Sequence, residues 1–160
     1  MGEGKGKTTA ALGLAMRALG QGLRVEIVQF CKGRDCGEHI AAQKLGLPVH
    51  RGDAMEIPTW QGATLEWRLH AQRQLETAKE RMGCCDLLIL DEILGALTGG
   101  FIDEEQVREL LSGSSDVPEL VLTGRAAPAF VLEQADLVTE MVCAKHYYKD
   151  GVKARKGIEY

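Results

Sequence analysis

The chain has 160 residues, 45% of them apolar and 26% charged, with a formal net charge of −4. That is sequence enough for one domain, spanning 1–160, with a sizeable core, and the composition is that of a globular chain rather than a disordered or fibrous one. The acidic balance leaves no electrostatic footprint for nucleic acid and no apolar run is long enough to span a bilayer, so neither is expected as a partner.

Gly2-Glu3-Gly4-Lys5-Gly6-Lys7-Thr8-Thr9 opens the chain. Glycines let successive N–H groups curl round an anion without Cβ clashes, and a helix starting near Thr8 adds unpaired N–H groups and the positive end of its dipole. Lys7 supplies a point charge for phosphate oxygens, and the Thr8 hydroxyl a ligand for Mg²⁺. The pattern is that of a phosphate-binding loop for a nucleoside triphosphate. It departs from the general form twice: G-x-x-x-x-G-K-[ST] would put a glycine at Met1, and no strand precedes the loop.

Periodicity predicts a helix from Thr8 to about Leu19 with Leu12, Ala15, Met16 and Leu19 on one face, ended by Gly20 and Gly22. Leu23 to Phe30 reads as a strand, and Cys31 to Glu38 as a loop that brings Lys32, Arg34 and Glu38 to the carboxyl edge of the sheet, where open α/β sheets bind ligands. A short helix follows over Ile40–Leu45, then a short strand at Pro48–Arg51 and a loop over Gly52–Gly62 that contains Trp60. A longer helix is expected from about Ala63 to Met82 with Leu65, Leu69, Leu75, Ala78 and Met82 inward, and Trp67 packed in the core.

Asp86-Leu87-Leu88-Ile89-Leu90-Asp91-Glu92 reads as a buried parallel strand that delivers two carboxylates to the same edge. In phosphate-loop proteins an acid at this place holds Mg²⁺, directly or through water, or polarises a nucleophile. Asp103 with Gln106 predicts a helix N-terminus. Glu119 to Arg125 reads as another strand, which puts Arg125 at the edge as a phosphate clamp or a solvated cation. Pro128 starts a short helix to about Gln134, and Leu137–Val142 is expected as a last strand. The tail carries Lys145, His146, Lys149, Lys153, Arg155 and Lys156. The five cysteines match no paired metal spacing and are expected to be reduced thiols of a cytoplasmic protein. Alternating strands and helices without hairpins predict an α/β fold, a three-layer, doubly wound, mostly parallel sheet of the phosphate-loop type.

Taken together, these segments resemble the phosphate-loop cob(I)alamin, or corrinoid, adenosyltransferases. The resemblance rests on Gly2–Ala11, Val28-Gln29-Phe30 with Lys32-Gly33, Gly37-Glu38, Leu90-Asp91-Glu92, Leu122-Thr123-Gly124-Arg125, Ala135-Asp136, Lys145-His146 and Gly157-Ile158-Glu159-Tyr160, in family order. It accounts for the short loop, since the family form is G-x-G-K-G-K-T-T with Gly2 as first glycine. It implies that ATP lies with its terminal phosphates in the loop and its ribose C5′ open to attack by the Co(I) of a reduced corrinoid, so that triphosphate leaves. No Ser, Cys or His nucleophile is then needed; the protein aligns cobalt with C5′ and neutralises charge on the triphosphate.

The resemblance further implies that Gly2, Gly4, Gly6, Lys7, Thr8 and Thr9 cradle phosphates, with Lys5 and Arg125 as further triphosphate contacts. Thr8 and Glu92 would hold Mg²⁺ with Asp91 nearby, so that Lys7, Thr8 and Glu92 carry the catalytic role. Trp60, Phe30 and Glu38 would face the corrinoid, Trp60 helping to strip the lower ligand from cobalt. A flavoprotein reductant and a homodimer are implied as partners.

Two departures stand out. Pro58 occupies a position where the family has a second aromatic, which turns attention to Phe101 or Trp67, and the family begins with a strand before the loop. The expectation is that residues 1–160 are a shortened form of a longer chain. Two rival readings are a small metabolite kinase and an ATP-dependent binding switch.

Overall fold

A computed structural model describes residues 1–33, 35–52, 64–113 and 118–160. Among them four strands, β1 (Val25–Gln29), β2 (Val49–His50), β3 (Leu87–Asp91) and β4 (Glu119–Leu122), form an all-parallel sheet in the order β2-β1-β3-β4. The helices are α1 (Lys7–Gly20), α2 (Gly37–Leu45), α3 (Leu65–Arg81), α4 (Ile93–Thr98), α5 (Glu104–Leu111) and α6 (Ala129–Gln134). The architecture is α/β, with helices on both faces of a parallel sheet.

The parity of β1 and β3 organises everything that follows. Side chains alternate across a strand, so Val25, Ile27, Leu87 and Ile89 face one way and pack with Ala11, Ala15 and Ala18 of α1 and Ala42 of α2. Val28, Leu88 and Leu90 face the other way, into a core with Trp67, Ala71, Leu75 and Ala78 of α3, most of α4, and Phe101, Ile102 and Phe130. By the same alternation Gln29 and Asp91 belong to the α1/α2 side, and they are direct neighbours in the β1–β3 register. Leu88, Ile89 and Leu90 are buried, which contributes on the order of 5–9 kcal/mol and makes the strand end carrying Asp91 a rigid platform.

Several expectations shift in the structure. The buried stripe of α1 is Ala11, Ala15 and Ala18, while Met16 is 60% exposed. Small side chains let the helix lie close to the sheet, a preference that a search for large apolar residues misses. In α3 the inward residues are Trp67, His70, Ala71, Gln74, Leu75 and Ala78, and Leu65 is 72% exposed. The predicted face was misphased because two polar residues lie on the buried side. Leu137–Val142 forms no regular strand; it meets the chain start instead, where the Met1 amine donates to Thr139 O at 2.8 Å and Met141 N donates to Met1 O at 2.8 Å. Helix α4, directly after the acids, was not anticipated. The capping box at Asp103 and Gln106, and Trp67 in the core, are as expected.

Candidate active site

The site forms where α1, α2 and the carboxyl ends of β1, β3 and β4 converge. Gly6 precedes α1 with φ 111°, a conformation that side chains rarely adopt, and so turns the glycine-rich loop into the helix. Gly2 and Gly4 have a second reason to lack side chains: a Cβ on either would lie 2.5 or 2.6 Å from Met141 O. Both are buried against the tail, and Gly4 N donates to Met141 O at 2.6 Å. The loop is thus clamped between α1 and residues 139–141.

Asp91 is the hub. It is only 3% exposed, and its two oxygens accept from three side chains. The Thr8 hydroxyl reaches them at 3.0 and 3.2 Å, Thr123 Oγ1 at 2.8 Å and Gln29 Nε2 at 3.1 Å. Thr123 also accepts from Glu92 N at 2.9 Å, which ties the ends of β3 and β4 together. Glu92 is the one described non-glycine residue with positive φ, at 62°. Such a left-handed turn costs a non-glycine residue about 1–2 kcal/mol and re-aims the chain sharply into α4. Burial pushes the Glu92 carboxyl above its ordinary pKa, the neighbouring Asp91 charge adds to that, and Lys7, Arg125 and Lys32 oppose it.

Lys7 folds back to donate to Gly2 O at 2.7 Å and Gly4 O at 2.9 Å. Lys5 points instead to the C-terminal segment, donating to Glu159 at 3.0 Å, Tyr147 Oη at 3.2 Å and Ile158 O at 3.2 Å. Arg155 and Tyr147 also bond Glu159, and together with Lys5 they hold its carboxyl well below the usual range. Lys32 pairs with Glu38 at 2.7 Å; burial works against both charges, yet the ion pair keeps the Glu38 pKa low and the Lys32 pKa high. An open cavity of about 330 Å³ lies between these groups, lined by Lys5–Thr9 and Leu12, by Lys32, Gly37 and Glu38, and by residues 157–160.

Thr8, Lys7, Lys5, Gly6, Thr9 and Glu38 therefore share one cavity, with Asp91 and Glu92 close beside it. Arg125 lies at the same edge, where its carbonyl accepts from Gly2 N at 2.9 Å and its exposed guanidinium stands 3.6 Å from Glu3. Phe30 is removed from the corrinoid-facing set: it is fully buried in the α3-side core and presents no surface to a ligand. Phe101 and Trp67 fall for the same reason, being buried with ring centroids 6.2 Å apart. Trp60, Pro58 and Arg34 lie outside the described residues. Not singled out in the sequence as site residues were Gln29, Thr123, His39 and Glu159. A polar residue at the carboxyl end of a strand is a readable signal for the first two; nothing local marks the others.

The described residues hold no cluster of three His, Cys, Asp or Glu side chains able to bind a metal alone. The donor set nevertheless suits Mg²⁺, which is typically held by one or two carboxylates and a hydroxyl together with substrate phosphates. Thr8 gives its proton to Asp91, which leaves the hydroxyl lone pairs available.

This geometry defines an α/β protein built to meet a ligand at the carboxyl edge of a parallel sheet, through a glycine-rich loop and strand-end acids. Comparison sharpens the class. The model of the family described as ATP:corrinoid adenosyltransferase BtuR/CobO/CobP matches residues 1–160. The corrinoid adenosyltransferase of Pseudomonas aeruginosa is 35% identical over 99% of this chain and 80% of that protein. The corresponding enzyme of a Sinorhizobium species is 37% identical, over 99% and 77%. That of Escherichia coli K12 is 34% identical, over 99% and 82%. The chain belongs to the ATP:corrinoid adenosyltransferase family.

Proposed function

We propose that this chain transfers the 5′-deoxyadenosyl group of ATP to the cobalt of a reduced corrinoid and releases triphosphate, in the biosynthesis or salvage of cobalamin. The observation that carries the reading is the Thr8–Asp91 contact beside the cavity, in a chain that matches the adenosyltransferase family over its whole length. The backbone of Lys5–Thr9 holds the terminal phosphates, while Gly2 and Gly4, whose N–H groups donate to Arg125 O and Met141 O, shape the loop. Lys7 exchanges the carbonyls of Gly2 and Gly4 for phosphate oxygens, and Lys5 and Arg125 supply further charge as the leaving group develops.

Thr8 and Glu92 would hold Mg²⁺, and Asp91 fixes the Thr8 hydroxyl and its proton. Bound Mg²⁺ supplies neutralisation of the triphosphate charge. Glu38, held by Lys32 at the cavity wall, contacts the corrinoid, and Trp60 helps to strip the lower ligand from cobalt, as the family resemblance implies. With cobalt as nucleophile, the protein contributes alignment and charge neutralisation and needs no attacking side chain. We further propose a cytoplasmic enzyme, in keeping with the expected reduced thiols, that acts as a homodimer served by a flavoprotein reductant, the last two as the family resemblance implies.

Product analysis by phosphorus NMR tests this. Anaerobic turnover with Mg-ATP and chemically reduced cobalamin should give triphosphate as the phosphorus product. ADP, with or without free phosphate, would overturn the reading in favour of a kinase or an ATP-driven switch.

A further inference from the structure

We propose that His39 is a positioning residue for the metal-side carboxylate, acting through Gln29. The two lie on different elements, His39 in the first turn of α2 and Gln29 at the end of β1, and the parity of β1 brings Gln29 onto the same face as Asp91. The distances form one chain: Cys36 N to His39 Nδ1 is 3.1 Å, His39 Nε2 to Gln29 Oε1 is 2.7 Å, and Gln29 Nε2 to Asp91 Oδ2 is 3.1 Å.

The direction of every proton in this chain is determined. Ionised Asp91 only accepts, so Gln29 must present its amide nitrogen to it and its carbonyl oxygen to His39. His39 must therefore carry its proton on Nε2. That agrees with its other nitrogen, since Nδ1 takes an N–H from Cys36 and must be bare. Burial, with Arg51 next in effect, holds the His39 pKa below its ordinary value and favours this neutral ring. Gln29 is 2% exposed and has no room to trade these partners for water.

A primary amide between two partners can otherwise rotate by half a turn and offer its oxygen to Asp91, which repels it. His39 locks out that rotation. The start of α2, whose Glu38 lines the cavity, is thereby coupled to the acid that orients Thr8. This inference rests on the reading that Asp91 and Thr8 serve Mg²⁺-nucleotide.

The test measures ATP affinity with and without Mg²⁺ by calorimetry on wild type, His39→Ala and His39→Gln, together with the His39 ring ¹⁵N shifts of the wild type at about pH 8. Glutamine keeps an N–H donor at the reach of Nε2 but loses the Nδ1 acceptor, which separates positioning from helix capping. His39→Ala should lose about tenfold in the Mg²⁺-dependent part of the affinity, as removal of an outer-shell partner does. His39→Gln should stay within about twofold of wild type, and the wild-type ring should show the Nε2–H tautomer. Equal losses with and without Mg²⁺, no loss in His39→Ala, no rescue by glutamine, or an Nδ1–H tautomer would each overturn the proposal. If His39→Ala does not fold, the glutamine variant and the tautomer decide it. A wild type whose ATP affinity ignores Mg²⁺ would instead overturn the site reading, and the proposal with it.

Discussion

Replacing Thr123 by Val isolates the contribution of the joint between β3 and β4. The side chain is buried and nearly isosteric with valine, so the change removes two hydrogen bonds with little change of volume. One is the 2.8 Å bond to ionised Asp91, worth about 1.5–3 kcal/mol. The other is the acceptor for Glu92 N at 2.9 Å, whose loss strands a donor at a cost of about 1–3 kcal/mol. Gaining a methyl in place of the hydroxyl returns about 0.8 kcal/mol, leaving a net loss of about 2–5 kcal/mol. At about 2–4 °C per kcal/mol the thermal midpoint should fall by roughly 4–20 °C. Thr123→Ser keeps both bonds and should lose only about 1 kcal/mol for its methyl. Urea titration and thermal melts of the three proteins measure this. A valine variant within about 0.5 kcal/mol of wild type, or a serine variant as damaged as the valine one, would refute the reasoning.

Other consequences follow from the same geometry. Glu92→Gly relieves the positive φ and should stabilise the fold by about 1 kcal/mol in denaturant titration, while lowering Mg²⁺-dependent ATP binding measured by calorimetry. A carboxyl whose pKa rises on folding costs stability above that pKa, and the cost fades as pH falls through it. Glu92→Gln should therefore be at least as stable as wild type at neutral pH, with the gap in melting temperature closing in acid. Burial, reinforced by Glu92 and Asp91, pushes Cys31 up to about 12, and burial takes Cys85 to about 11. Alkylation followed by mass spectrometry at neutral pH should modify exposed Cys84 well before either. Glu159 has its pKa lowered in the fold, so its contribution is present above the ordinary carboxylate pKa and lost only as pH falls through the lowered value. Limited proteolysis should find the C-terminal segment of wild type still protected in mild acid, and that of Glu159→Gln released even at neutral pH.

What the sequence makes legible and what it hides divide along physical lines. Leu87–Asp91 is readable because a strand covered on both faces has no polar position until it ends, so its acids announce the edge. The loop from Gly2 to Thr9 is readable because few other functions need glycines, a lysine and a threonine at that spacing. The α1 face is harder: alanines at 11, 15 and 18 carry little hydrophobic signal, yet close helix–sheet packing selects them. In α3, buried His70 and Gln74 break the apolar period on which such a reading depends. Residues 137–142 have strand composition, but what they pair with is Met1, at the far end of the chain. The contacts of His39 with Gln29 and of Lys5 with Glu159 join positions 10 and 154 residues apart, and neither leaves a local trace.

The central claim is that this cavity makes a cobalt–carbon bond from ATP with the glycine-rich loop as phosphate holder. The most direct measurement is anaerobic mixing of the protein with Mg-ATP and chemically reduced cobalamin, followed by absorbance, for wild type and Lys7→Ala. The account predicts loss of the Co(I) spectrum and growth of a light-sensitive cobalt–carbon product with wild type, and its near-disappearance with the variant. Persistence of Co(I) with folded wild-type protein, or equal product from Lys7→Ala, would contradict it.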